Sequence, residues 1–173
     1  KGIGGCTFCN NASFSPNAKD PESIESQLEQ GKRVIAKRTG AKKFIAYFQS
    51  YTNTYDDVAR LKRLYDRALA VEGVIGLSIG TRPDCVPDEV INLLLGYQRN
   101  GYEIWLELGL QSSFDESLQR VNRGHGFAEY IEANHRARAA GLKVCTHLIV
   151  GLPGENATDS LVSLDRVLRL GTD

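Results

Sequence analysis

Residues Lys43 to Gln49 read KFIAYFQ, a short and nearly continuous run of apolar residues. A run of this kind is typical of a strand in a parallel sheet, where both faces are covered. We therefore predict that residues 43–49 form a strand that is buried on both faces. Similar runs return further along the chain and predict three more strands, at Gly73–Gly80, Tyr102–Leu110 and Val144–Val150.

Helical segments separate these strands. The first is predicted to start at Asp20-Pro21-Glu22, where an N-cap precedes a proline and an acidic residue, and to run to about Arg38 before Gly40. Its apolar face would carry Ile24, Leu28, Val34 and Ile35. The later predicted helices follow the cap at 54–57, open at 87–89, and cover about 114–121, 128–140 and 156–170.

Strands that alternate with helices of this length indicate a parallel sheet with right-handed crossovers. The glycines at Gly4-Gly5 and Gly151–Gly154 do not match the G-x-G-x-x-G pattern of a dinucleotide-binding turn. We therefore predict an α/β fold, a partial (β/α) barrel with about four strands present.

The composition is that of an ordinary globular chain of 173 residues, with 42% hydrophobic and 24% charged residues. The 21 basic residues balance the 21 acidic ones, so no overall field attracts nucleic acid or an anionic membrane. No apolar run approaches the roughly 18 residues of a membrane-spanning helix, and no signal peptide opens the chain. These features predict a cytoplasmic protein without a membrane partner.

Basic residues cluster between positions 32 and 43, at Lys32-Arg33, Lys37-Arg38 and Lys42-Lys43. One interpretation is a surface that faces RNA. A solvated helix face explains the same pattern and is favoured.

The chain contains no methionine, and it ends just after a predicted helix, where another strand would be expected. We expect residues 1–173 to be an internal fragment of a single domain, with later strands outside it.

The pair Cys6-Thr7-Phe8-Cys9 carries the clearest chemical signal. Two thiols at this spacing can ligate one soft metal centre or act as a redox pair. A redox pair would begin a helix directly, whereas some ten polar loop residues that include Pro16 follow Cys9 here. A structural zinc site needs four ligands, and Cys85 and Cys145 offer no second paired spacing.

Polar residues stand where the predicted strands end. Gln49-Ser50 follows the first strand, and Thr81–Asp84 follows the second. Glu107 and His147 lie inside otherwise apolar strands, where polar groups need buried partners. Any one of them could make a structural hydrogen bond, but polar groups at one end of all four strands predict a ligand cavity.

Six stretches in the same order resemble the radical S-adenosylmethionine superfamily, and within it the YhcC-like group related to the catalytic subunit of Elongator. They are Cys6–Cys9 (CTFC), Tyr47–Thr54 (YFQSYTNT) together with Thr81–Asp84 (TRPD), Glu107–Ser112 (ELGLQS), Arg120–His125 (RVNRGH) and His147–Glu155 (HLIVGLPGE).

This resemblance implies a radical enzyme. Its [4Fe-4S] cluster would sit on three cysteines and bind S-adenosylmethionine, and an electron donor such as flavodoxin or ferredoxin would reduce it. Cleavage of the cofactor would give a 5′-deoxyadenosyl radical that abstracts hydrogen from a substrate that the sequence does not identify.

The resemblance also implies roles for single residues. Cys6 and Cys9 would be the second and third cluster ligands. The remaining matched positions would bind the cofactor: Phe8 beside it, Gln49 and Ser50 near its amino group, Gln111 and Arg123 at the ribose or carboxylate, Ile149, Val150 and Gly151 at the adenine, and Glu107 and His147 facing the cavity.

Two positions depart from the family pattern. The common C-x3-C-x2-C spacing would put the first ligand at position 2, which is Gly2, so we expect that cysteine upstream of Lys1. The fragment alone would then hold no intact cluster and be inactive. Gly80 replaces an acidic residue that several relatives carry at the end of the matching strand.

Two other functions stay open at this stage. The chain could be an Elongator-like RNA-modifying protein, which an adjoining acyltransferase domain or basic extension would favour. It could also be a barrel that only binds a partner, with a vestigial cluster site. A cysteine a few residues upstream of Lys1 would favour the enzyme, and its absence the binding module.

Overall fold

A computed structural model describes residues 5–9 and 23–173. Eleven elements follow one another in the described part: α1 Ile24–Thr39, β1 Phe44–Phe48, α2 Val58–Leu69, β2 Val74–Thr81, a 3-10 turn Pro83–Cys85, α3 Asp88–Arg99, β3 Glu103–Gln111, α4 Asp115–Arg120, α5 Phe127–Ala139, β4 Lys143–Leu148 and α6 Ala157–Leu170. Every predicted strand is present, within two residues at each end.

The four strands form one parallel sheet in the order β1-β2-β3-β4. Because neighbouring strands are parallel, their carboxyl ends all meet at the same edge of the sheet. The predicted α/β architecture of a partial barrel is therefore confirmed, and the polar strand ends lie side by side.

Helices cover only one face of this sheet in the described part of the chain. Along β3, Ile104, Leu106, Leu108 and Leu110 are buried in the hydrophobic core, while the residues between them are half-buried. Such alternation is typical of a strand with one covered face and one open face. We call the second face, on which Glu107 lies, the open face.

The prediction that β1 is buried on both faces is wrong. Ala46 is buried, but Ile45 and Tyr47 are 41% and 47% exposed because they point to the open face. An apolar run cannot distinguish a strand between two helical layers from one that borders a cavity.

The first helix also differs from its prediction. The proposed start at Asp20-Pro21-Glu22 lies outside the described residues, and α1 begins at Ile24 with Ser23 as its N-cap. Ile24 and Leu28 pack against the core, whereas Val34 and Ile35 are 58% and 49% exposed. The helix ends at Thr39 before Gly40, as predicted.

Within the described ranges, no helix combines the length and apolar character that crossing a membrane requires.

Candidate cofactor site

The cysteine loop is held against the turn that follows α4. The backbone N–H of Thr7 donates to the carbonyl of Val121 at 3.0 Å, and the Asn122 side-chain amide donates to the carbonyl of Gly5 at 2.7 Å. A further bond from the Cys9 N–H to the Cys6 carbonyl, at 3.0 Å, closes the loop into a turn. The two cysteines are therefore held above the carboxyl ends of the strands.

Arg123 connects this loop to the sheet. Its Nη1 donates to Cys6 Sγ at 3.4 Å, and its Nη2 donates to the carbonyl of Gly109 in β3. Its Nε donates to Nε2 of His125 at 2.8 Å. One guanidinium thus fixes the position of a thiol relative to the end of the central strand, because its donors form a planar fork.

His125 orients Arg123 as a neutral ring. Since its Nε2 accepts a hydrogen bond from Arg123, the proton must lie on Nδ1, which is 3.1 Å from the Gly126 carbonyl and donates to it. Burial of the ring, and secondarily the neighbouring charge of Arg123, hold the pKa of His125 below its ordinary value. The ring therefore stays an acceptor for Arg123 at neutral pH.

The end of β3 is irregular at the place where Arg123 meets it. Its pairing with β4 shifts register between Gly109 and Gln111, and Gln111 has a φ of 81°, which is uncommon for a residue other than glycine. A Cβ at position 109 would lie 2.8 Å from both Arg123 Nη2 and Gln111 Nε2, so the ends of those two side chains would have to shift. Backbone strain such as the positive φ of Gln111 is typical of functional sites.

A second guanidinium lies near the loop. Arg82 forms a two-pronged ion pair with Asp84, with bonds of 2.9 and 2.8 Å. Burial acts to raise the pKa of Asp84, but the hydrogen bonds and charge of Arg82 outweigh it and lower that pKa. Arg82 is also close enough to Cys6 to interact with it electrostatically.

Deeper on the open face lies a polar cluster around Glu107. One carboxylate oxygen accepts from Ser78 Oγ, and the other is 2.6 Å from His147 Nε2. Burial, followed by the charge and hydrogen bonding of Glu107, raises the pKa of Tyr47 to about 12. Glu107 and His147 partner each other, but His147 is 44% exposed on the open face, so the expectation of a partner in a buried strand holds only for Glu107.

A cavity of about 460 Å³ opens between the cysteine loop and the strand ends. It brings together ten of the twelve residues predicted for the site: Cys6, Phe8, Cys9, Gln49, Ser50, Glu107, Gln111, Arg123, His147 and Ile149. Val150 and Gly151 are not among its lining residues, and Val150 is 78% exposed just beyond β4. The cofactor roles of all twelve residues stay predictions.

Several residues that shape the cavity were not among the predicted site residues. Tyr47 and Gly109 both line it. Tyr47 lies within an apolar run, so the sequence did not distinguish it from the buried residues of that strand. Its place one residue after Ala46 puts it on the opposite face of β1. His125 carried a usable signal, because it follows Arg123 by two residues in a turn where two side chains can pair. Nothing local marked Gly109 as a residue whose missing side chain leaves room for Arg123.

The residues present fit an iron–sulfur cluster and an anionic cofactor group. Two thiols on one turn are soft ligands for iron. The guanidinium of Arg123, which bonds to Cys6 Sγ, and that of Arg82, which lines the same cavity, suit a site that gathers thiolates and a carboxylate. The described loop supplies two cysteines, which is two-thirds of the expected three-thiolate set.

Fold and cavity together define a class: an open parallel α/β barrel with a cysteine loop across the carboxyl ends of its strands. The family model of the Radical SAM superfamily matches residues 3–166, which is most of the chain. The chain belongs to the Radical SAM superfamily.

Relatives place it in the YhcC-like, Elongator-related part of that superfamily. It is 50% identical over 172 residues to Protein YhcC of Escherichia coli K12, covering 99% of this chain and 55% of that protein. It is 39% identical over 84 residues to the tRNA uridine(34) acetyltransferase of Methanocaldococcus infernus, covering 47% of this chain and 15% of that protein. The chain thus spans about half the length of the first of these curated relatives.

Among solved structures, the archaeal Elp3 of Methanocaldococcus infernus superposes with a TM-score of 0.66. The match covers 84% of this chain and 37% of that structure at 24% sequence identity, and it supports the fold alone.

Proposed function

We propose that this chain is the core of a radical S-adenosylmethionine enzyme. The observation that carries the proposal is the cysteine loop, which Arg123 ties to the end of β3 across a cavity. When bound, a [4Fe-4S] cluster and S-adenosylmethionine would supply a 5′-deoxyadenosyl radical that removes hydrogen from a substrate.

The chain's own residues would bind and orient these groups. Cys6 and Cys9 would ligate iron as thiolates, and Arg123, held by His125, would stabilise negative charge beside them. Phe8 would pack beside the cofactor, with Gln49 and Ser50 at its amino group.

The end of β3 and the segment after β4 would complete the site. Gln111 would contact the ribose or carboxylate, while Ile149, Val150 and Gly151 would flank the adenine. A small redox protein such as a flavodoxin or ferredoxin would deliver the electron, and we expect the protein in the cytoplasm, where thiols stay reduced.

The test is anaerobic reconstitution of the full-length protein with iron and sulfide, followed by reduction and assay for 5′-deoxyadenosine. We expect the wild-type protein to form one 5′-deoxyadenosine for each S-adenosylmethionine cleaved. The Cys6→Ser and Cys9→Ser variants should form none. Cys85→Ser is the matched control, because that thiol is buried beside Asp84 outside the cavity lining. Absence of 5′-deoxyadenosine from protein whose cluster is confirmed would contradict the proposal.

Arg123 offers a second test. Lysine at position 123 keeps the charge but cannot make three bonds in one plane, so Arg123→Lys should weaken cofactor binding. Arg63→Lys on the exposed surface of α2 should not. Equal affinities in both variants would contradict the role assigned to Arg123.

An Elongator-like activity on RNA is the alternative. It is favoured by the similarity to a tRNA uridine(34) acetyltransferase over about half of this chain. Comparison of modified nucleosides in tRNA from a deletion strain and its parent would test it. A change at one nucleoside, restored by the wild-type gene and not by a Cys6→Ser copy, would support it. A vestigial binding module would instead form no cluster on reconstitution.

A further inference from the structure

Three different metal-ligating side chains meet on the open face, one layer below the strand ends. They are Glu107 on β3 and Cys145 and His147 on β4. One ligand atom from each residue lies within 4.8 Å of the other two. Glu107 and Cys145 are direct partners in the β3–β4 pairing, and His147 follows two residues later on the same side.

We propose that Glu107, Cys145 and His147 form a binding site for one divalent transition-metal ion of the zinc class. None of these residues belongs to the cysteine loop, although Glu107 and His147 line the same cavity as its cysteines. The proposed site gives to a metal two side chains that the family resemblance assigns to the cofactor.

The donor set suits such an ion. Zinc accepts carboxylate oxygen, thiolate sulfur and imidazole nitrogen, and a site with three protein ligands leaves its fourth position for water or substrate. With a thiolate and a carboxylate, the charge of the ligands balances that of the ion. A mixed set of this kind disfavours magnesium and calcium, which prefer oxygen ligands alone.

The surroundings also favour a metal over an isolated ion pair. Ser78 donates to one oxygen of Glu107 and leaves the other oxygen turned toward His147, as an outer-shell partner of a metal ligand does. The His147 Nε2 to Glu107 contact is 2.6 Å, and one ligand atom of Cys145 lies within 4.8 Å of both residues' ligand atoms, so one ion can bind all three side chains.

All three ligands stand on paired strands, so their spacing is set by the sheet. His147 lines the cavity together with Glu107, which leaves a path for the ion and a free coordination position. Binding needs only that the ion replace one hydrogen bond and one thiol proton.

The experiment is a cobalt(II) titration of the full-length protein in which Cys6, Cys9 and the cluster cysteine expected upstream of Lys1 are all replaced by serine, which removes the cluster thiolates. We expect one equivalent to bind with a near-ultraviolet thiolate-to-cobalt charge-transfer band, and zinc to displace it. Cys145→Ser should abolish the band, and Glu107→Gln or His147→Gln should weaken binding by at least about tenfold. Cys85→Ser and His135→Gln, at a buried thiol and an exposed ring, are the matched controls.

No binding, or a band that survives Cys145→Ser, would overturn the proposal. Should these variants not fold, zinc K-edge X-ray absorption of the cluster-loaded holoenzyme serves in their place. One sulfur with nitrogen and oxygen neighbours supports the site, whereas no sulfur or several sulfurs contradicts it. Neither readout depends on cleavage of S-adenosylmethionine, so the two proposals can fail independently.

Discussion

At the scale of single residues, the contact between Arg123 and the backbone depends on the absence of a side chain at Gly109. Gly109→Ala would place a methyl group 2.8 Å from Arg123 Nη2 and from Gln111 Nε2, so Arg123 must move. Both atoms end flexible side chains that can turn away, so we expect a loss of stability below about 1 kcal/mol, under the usual range for an overpacked core. We also expect S-adenosylmethionine to bind about tenfold to a hundredfold more weakly, the range for one lost hydrogen bond to a charged group.

Calorimetric titration of the cluster-loaded protein would measure this affinity, and denaturant unfolding the stability. Gly31→Ala is the control, because that glycine lies in α1 with nothing within 4 Å of its added Cβ. It should be neutral or stabilise the protein by up to about 1 kcal/mol. Unchanged cofactor affinity in Gly109→Ala would refute the link between Gly109 and Arg123.

His125 makes the same contact sensitive to pH. Its pKa is lowered in the folded protein, so the unfolded chain binds the proton first as pH falls below the ordinary value of 6.5. The stabilising effect of the neutral ring is therefore complete above pH 6.5 and is lost as pH falls through the lower folded pKa. Protonation also removes the acceptor for Arg123 Nε.

Denaturant unfolding between pH 7.5 and 5.0 would show this loss, with a slope of at most about 1.4 kcal/mol per pH unit from this residue. His125→Gln should flatten the slope, while His135→Gln, at an exposed ring, should leave it unchanged. If the free energy of unfolding of His125→Gln fell with pH as steeply as that of the wild-type protein, His125 would not be the group responsible.

At the scale of elements, the segment between β1 and α2 is fixed by bonds to its neighbours. Asn53 donates to the carbonyls of Phe48 and Gly80 at 2.9 and 2.8 Å. Thr54 Oγ1 lies 2.6 Å from Thr81 Oγ1 and 2.5 Å from the Cys85 carbonyl. These bonds fix the segment to the carboxyl ends of β1 and β2. They therefore hold the preceding residues, Gln49 and Ser50, at the cavity.

Thr54→Val keeps the shape of the side chain but removes both bonds. Because the partners stay buried, we expect a loss of about 1–3 kcal/mol in the free energy of unfolding. The exposed Thr158→Val in α6 should change it by less than about 0.5 kcal/mol. Equal midpoints of urea unfolding for the two variants would show that the segment is not fixed in this way.

The elements also show how far sequence reasoning reaches. The parallel sheet and its order of helices followed from apolar runs and caps, because those signals are local. Glu107 and His147 were identified because a polar side chain in an apolar strand costs free energy unless it has a partner. Exposure of Tyr47 and the packing of Arg123 on Gly109 depend on contacts between segments that are far apart in the chain, so no local pattern predicted them.

At the scale of the whole molecule, the open face is the dominant feature. Ile45, Tyr47 and His147 stand on it with substantial exposure, and no helix covers it within the described residues. The chain also spans about half of the relative YhcC.

Assembly of the cluster should therefore differ between the 173-residue chain and the full-length protein. The described loop offers two thiolates, whereas a cluster of this family type needs three, so the isolated chain should retain substoichiometric, labile iron after anaerobic loading and desalting. The full-length protein should retain about four irons, and its Cys9→Ser variant should fall to the level of the isolated chain. Iron and sulfide analysis with electron paramagnetic resonance of the reduced samples would measure this. A stable four-iron cluster in the isolated chain would show that a third ligand lies within residues 1–173, with Cys85 and Cys145 the first positions to replace.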